Sequence, residues 1–183
     1  MKYTAKDITL IALTGALTVI IGYVFYIIGS FLPIPGHKFV IFAPFLSFMM
    51  FIPVRKIGRL GVMTAVSVVF AALMAPVTFF MALAILLTGL STEITAFLLF
   101  RNYNTTWKMI GAVAFFPTYA VLWAFVTAQY FTSNAIYRLV GGWSFVVVLC
   151  LLIYGLGLLG GFLSEKVIFK RLNNVDESKP RNI

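Results

Sequence analysis

Side chains able to do chemistry are few in this chain, and they stand far apart. There is one histidine, His37, one cysteine, Cys150, and one acid inside a long apolar run, Glu93 in "TGLSTEITAF". No H-E-x-x-H, G-x-S-x-G or phosphate-binding glycine loop accompanies them. His37 and Glu93 are expected near opposite faces of a membrane, so they do not form a dyad. Cys150 has no second cysteine with which to close a disulfide or build a multi-cysteine metal site, and it reads as a small buried apolar residue. The expectation is a protein that is not an enzyme and carries neither cofactor nor metal.

Glu93 is the exception to a hydrocarbon-like setting, where an ionisable group is costly and a functional candidate by default. At 1.5 Å per residue it falls roughly 20 Å from the far end of its helix. Thr92 and Thr95 are close in sequence, and Arg101 is about two turns further on. Three roles are open to it: bonding to neighbouring polar groups or a partner subunit, direct ligand contact, or a proton relay.

A second constellation is aromatic. Tyr119, Trp123, Thr127 and Tyr130 recur at steps of four, four and three, which sets them on one helical face. Around the same level fall His37 and Lys38 in "LPIPGHK", Pro76 with Thr78 and Phe79, and Asn134, Tyr137, Arg138, Trp143 and Ser144. Two readings compete. Tyr130, Tyr137 and Trp143 suit an interfacial aromatic belt, whereas the deeper Tyr119 and Trp123 suit an aromatic-lined pocket with a few orienting polar groups.

The elements that must position these residues follow from composition. The 183 residues are 62% hydrophobic and only 10% charged, with a mean hydropathy of +1.04. A soluble domain of this size needs a polar surface that this chain cannot supply. Continuous rather than alternating apolar runs exclude a β-barrel. The expected fold class is an all-α integral membrane protein, a six-transmembrane-helix bundle with both termini cytoplasmic. Its spans are Ile8–Ile28, Phe39–Pro53, Gly61–Ala75, Val77–Phe100, Met109–Phe131 and Trp143–Ser164. The first is too long for a signal-peptide core and reads as a retained span. The second and third are short, so they either continue through the basic turn of Arg55, Lys56 and Arg59 or form a re-entrant pair. Residues 1–172 make one domain, and the polar tail 173–183 reads as disordered.

The formal charge of +9 does not indicate nucleic acid, because the basic residues lie between apolar runs rather than in one stripe. With cytoplasmic termini, twelve of the fourteen lysines and arginines fall inside, leaving only Lys38 and Arg138 outside. No carboxylate is expected outside. A ligand bearing a carboxylate or phosphate is therefore tolerated there, and a cation disfavoured.

The first span opens with "TLIALTGALTV", where Ala12 and Ala16 form an A-x-x-x-A pair with Thr9 one turn before. Small residues at this spacing let another helix approach backbone to backbone. Gly157, Gly160, Gly161 and Ser164 in the last span form a similar set, read as packing within the fold. With "LPIPG" (Leu32–Gly36) and "GVMTAVSVVFAALMAP" in the third span, the chain resembles the substrate-binding S components of energy-coupling-factor (ECF) transporters along essentially its whole length.

The resemblance implies six helices in a bacterial plasma membrane and a ligand pocket in the outer half, closed by the first, third and fifth loops. It implies docking of Ala12 and Ala16 on a transmembrane T subunit driven by two cytoplasmic ATPase subunits. The cargo would be a vitamin, vitamin precursor or aromatic amino acid, released inside by toppling of the subunit in the lipid bilayer. Nickel and cobalt members use an N-terminal Met-His, whereas Lys2 follows Met1 here, which argues against a metal cargo. Two other readings stand beside it: a small membrane scaffold or assembly subunit without a solute, and a self-sufficient secondary transporter or channel.

Overall fold

The computed structural model describes residues 3–31, 37–131 and 142–169, and these are helical apart from short turns. The helices are α1 (Ala5–Ser30), α2 (His37–Ile57), α3 (Val62–Met74), α4 (Phe79–Phe100), α5 (Thr106–Phe131) and α6 (Gly142–Ser164), the last continuing into a π-helical turn, Glu165–Phe169. All but α3 are long and apolar enough to cross a membrane. At 21 residues, α2 outruns the expected Phe39–Pro53 at both ends. It carries through Pro53 and takes in Arg55 and Lys56 of the basic turn, and Arg59 lies in the turn before α3. By contrast α3 has 13 residues, about 20 Å of helix, well short of a hydrocarbon core about 30 Å thick. The fourth helix begins two residues after the expected Val77 because Thr78 is extended, with φ −159° and ψ 124°.

Successive helices run in opposite directions. Arg55 reaches Glu165 at 3.6 Å, which brings the end of α2 beside the end of α6. Phe39 and Phe125, 6.4 Å apart, mark the opposite end. We refer to these as the basic end and the distal end. The middle of the bundle is α2 with α5. Helices α1, α3, α4 and α6 surround them, α1 resting on α2 and α3. Phe51, Met50 and Val54 of α2 meet Phe116, Ile110 and Val113 of α5 in the core, together with Val62, Met63 and Val66 of α3.

Two kinds of local chemistry make this possible without water. Buried hydroxyls bond the carbonyl one turn back in their own helix: Thr18 to Thr14 at 2.7 Å, Thr92 to Thr88 at 2.7 Å and Ser67 to Met63 at 2.9 Å. Close approaches occur where side chains are missing. Gly160 of α6 seats directly on the Pro44 carbonyl of α2, and a Cβ at Gly157 would lie 3.0 Å from the Ala114 backbone of α5. Gly157, Gly160 and Gly161 of the last span thus serve packing within the fold, as read from sequence. At the start of α1, Thr4 and Asp7 bond each other's backbone N–H at 3.3 Å and 2.9 Å, a reciprocal capping box.

A leucine at Gly160 would push α6 away from α2. Gly160→Leu is expected to lose about 3 kcal/mol of stability. Gly155→Ala, with nothing within 4 Å of the added Cβ, should gain about 0.5 kcal/mol. Unfolding of both variants in mixed micelles checks the contrast.

Candidate functional site

The polar groups collect along α4, in two clusters on different sides of it. The first is built on Glu93. Helix α3 begins after Gly61, whose φ of 96° is left-handed, and no side chain of its own caps it. Its first amides therefore point into the bundle unpaired unless another element meets them. Glu93 does so: Oε2 accepts from the Met63 N–H at 3.0 Å and the Thr64 N–H at 3.3 Å. Oε1 accepts from the Tyr103 hydroxyl at 2.9 Å. A carboxylate at a helix N-terminus also gains from the aligned peptide dipoles. The Thr64 hydroxyl adds a bond to the Gly89 carbonyl at 3.3 Å, and Gly89 lies so close to Ser67 that a side chain there would collide.

Tyr103 sits buried in the turn between α4 and α5. Burial and the adjacent Glu93 carboxylate raise its phenol well above the ordinary tyrosine range, so it stays protonated and donates. Both Glu93 oxygens thus take hydrogen bonds from the chain itself, and the arrangement is that of a clasp between α3, α4 and the following turn. Its sequence neighbours serve elsewhere, Thr92 on its own helix and Thr95 on α5.

The second cluster joins α4 to α5. Tyr119 and Thr95 hydroxyls are 2.7 Å apart, and Trp123 Nε1 donates to the Ser91 hydroxyl at 2.9 Å. Ser91 and Thr95 are one turn apart on α4, matching the one-turn step between Tyr119 and Trp123. Thr127 is buried and donates to the Trp123 carbonyl at 2.7 Å. Tyr130 is 71% exposed, and Phe80 stacks on Phe131 with ring centroids 5.2 Å apart at the top of the same seam. The shared helical face read from the spacing is real, and its two deeper aromatics present their polar tips to α4.

The remaining expected residues are more scattered. Thr78 and Phe79 are exposed at the start of α4, and Lys38 is half-buried at the start of α2. His37 opens α2, but its side chain lies outside the described residues, as do Asn134, Arg138, the "LPIPG" segment and the 173–183 tail. Trp143 stands on a different side of α5 from Trp123. It borders an open groove of about 420 Å³ between α5 and α6, lined by apolar residues such as Phe115, Leu122, Val147 and Leu151. Cys150 borders this groove too, with its sulfur 3.9 Å from the Thr118 carbonyl. No group of three or more potential metal ligands occurs among the described residues.

On α1, Thr9 and Ala12 are exposed and Ala16 is half-buried. The neighbouring Gly15 turns inward, where a Cβ would meet Val69 of α3 at 2.8 Å. The small residues of "TLIALTGALTV" therefore serve two faces: Gly15 admits α3, while Thr9 and Ala12 leave a shallow outer flank.

Sequence reasoning did not single out Tyr103, Ser91 or Ser67. A tyrosine just past a helix carrying a lone acid was the available signal for the first. Nothing in the spacing pointed to the others. No known protein family matches the chain, and no characterised protein or solved structure does either.

Removing the clasp should cost stability. Glu93→Ala leaves two α3 amides and a buried phenol unpaired, an expected loss of about 3 kcal/mol. Glu93→Gln, which retains an acceptor, should lose less. A double-mutant cycle with Tyr103→Phe should show a coupling of about 1 kcal/mol, read from unfolding in micelles.

Proposed function

We propose that this protein is the solute-capturing membrane subunit of an energy-coupled importer of ECF type, holding a small organic nutrient outside and delivering it inside while ATP is hydrolysed by partner subunits. The observation that carries the reading is the outer flank of α1. Thr9 and Ala12 are exposed and Ala16 is half-buried while the bundle packs around Gly15, which leaves the Thr9–Ala12 part of the A-x-x-x-A face open for another helix. In this proposal the occupant is a transmembrane T subunit, α3 is a short sixth membrane segment, and the basic end faces the cytoplasm of a bacterial cell. Release of the solute by toppling belongs to the same proposal.

The solute would enter at the distal end. Phe79, Tyr130 and Trp143 are 70%, 71% and 51% exposed, which leaves flat apolar surface for a ring to cover. Lys38 stands at the same end and suits an acidic substituent. A vitamin, a vitamin precursor or an aromatic amino acid meets both conditions. The second reading, an assembly subunit without a solute, draws support from Tyr119 and Trp123, whose polar tips are bonded to Thr95 and Ser91.

Equilibrating the purified protein with a mixture of these compounds and identifying what it retains by mass spectrometry separates the two. Retention of one ring-bearing compound is expected, and retention of nothing favours the assembly subunit. Retention of metals or simple cations alone overturns the pocket reading. Ala12→Trp and Ala16→Trp should each abolish cellular uptake of the retained compound while leaving its binding intact. Undiminished uptake in both variants removes the docking argument.

A further inference from the structure

The basic end carries more positive charge than the acids among the described residues neutralise. The acids among the described residues are already engaged: Asp7 in the α1 capping box, Glu93 in the α3 clasp and Glu165 with Arg55. Arg101, Lys108 and Lys166 have no ion-pair partner among the described residues. These three cations come from the turn after α4, the first turn of α5 and the π-helical turn after α6, all at the basic end, where α5 packs on both α4 and α6 and so makes a corner.

That corner also has an aromatic platform. Trp107, 73% exposed, stacks on Phe162 across the α5–α6 contact with ring centroids 6.4 Å apart and planes 23° from parallel. Lys108 adjoins the tryptophan in sequence, and Lys166 follows Phe162 by four residues. Arg101 is the one non-glycine described residue with a left-handed backbone, φ 56°. A helix that ends on a left-handed residue usually does so on glycine. An arginine there puts a cationic side chain at the C-terminal end of α4, where the peptide dipoles favour positive charge.

Depth decides what such a corner meets. Helices of 22, 26 and 23 residues in α4, α5 and α6 are about 33 to 39 Å long, which carries their ends past a hydrocarbon core about 30 Å thick and into the headgroup layer. Exposed Trp and unpaired cations at that level are complementary to a phosphate set above acyl chains.

We propose that the Trp107–Phe162 platform, with Arg101, Lys108 and Lys166, is a docking site for an anionic phospholipid. The stacked rings cover the glycerol and upper acyl region, and the three cations neutralise the headgroup phosphate. The site requires only that the bundle sits in a membrane, so it stands apart from the importer reading.

The test gives the full chain, in mild detergent, equal amounts of phosphatidylglycerol and phosphatidylcholine with the same acyl chains, and weighs the retained lipid by native mass spectrometry. Preferential retention of phosphatidylglycerol is expected. Lys108→Gln and Lys166→Gln should each lower that preference about fivefold, and Lys108→Arg should keep it. Lys6→Gln removes the same charge from α1, which packs on α2 and α3, and should leave the preference unchanged. Equal retention of the two lipids by the unaltered protein overturns the proposal. So does an equal loss in Lys6→Gln, which would assign the effect to charge spread over the whole end. An unchanged thermal transition in each variant shows that lost retention is not lost folding.

Discussion

A helix that starts inside a packed bundle without a capping side chain leaves backbone amides for a neighbour to meet, and this fold depends on how that problem is met. Helix α3 is too short to carry its ends to both headgroup layers. It starts at a left-handed glycine with no capping side chain of its own. The carboxylate of Glu93 supplies the missing acceptor, and Tyr103 holds the carboxylate from the other side. In hydrocarbon each of these groups alone would be costly; together they satisfy one another. The intramembrane acid thereby joins α3 to α4 and to the turn that begins α5.

The rest of the bundle follows the same logic of polar groups met close at hand. Hydroxyls such as those of Thr18, Thr88 and Thr92 return to carbonyls of their own helices, and the tips of Tyr119 and Trp123 find Thr95 and Ser91 across one seam. Apolar side chains cannot drive helices together in lipid as they do in water, so packing relies on contact that missing side chains permit. Gly160 on Pro44, Gly157 on Ala114 and Gly89 beside Ser67 are such contacts. They tie α6 to the central pair α2 and α5, and α3 to α4, leaving α1 as a peripheral helix with an open flank.

Charge is arranged as economically. Each described acid is taken up in a cap, a clasp or an ion pair, and Arg101, Lys108 and Lys166 stand at the ends of the long apolar helices. The aromatic side chains divide in the same way: those deep in the bundle bond across α4 and α5, and those at its two ends stay exposed. One end presents Phe79, Tyr130 and Trp143, and the other presents Trp107 among arginine and lysine.

The helical class, the long apolar elements and the placement of Glu93 within one of them were legible in the sequence, because hydropathy over about 20 residues is a local property. So was the inward duty of the α6 glycines, and so was the shared face of Tyr119, Trp123 and Thr127, because helical periodicity fixes it. The partners were not legible. That Glu93 caps α3 thirty residues away, that Gly15 turns inward while Ala12 faces out, and that Trp123 and Trp143 stand on different sides of α5 depend on which helices become neighbours. Neighbour choice is set by the summed fit of whole helical faces, a property of the assembled bundle that no single stretch of residues contains.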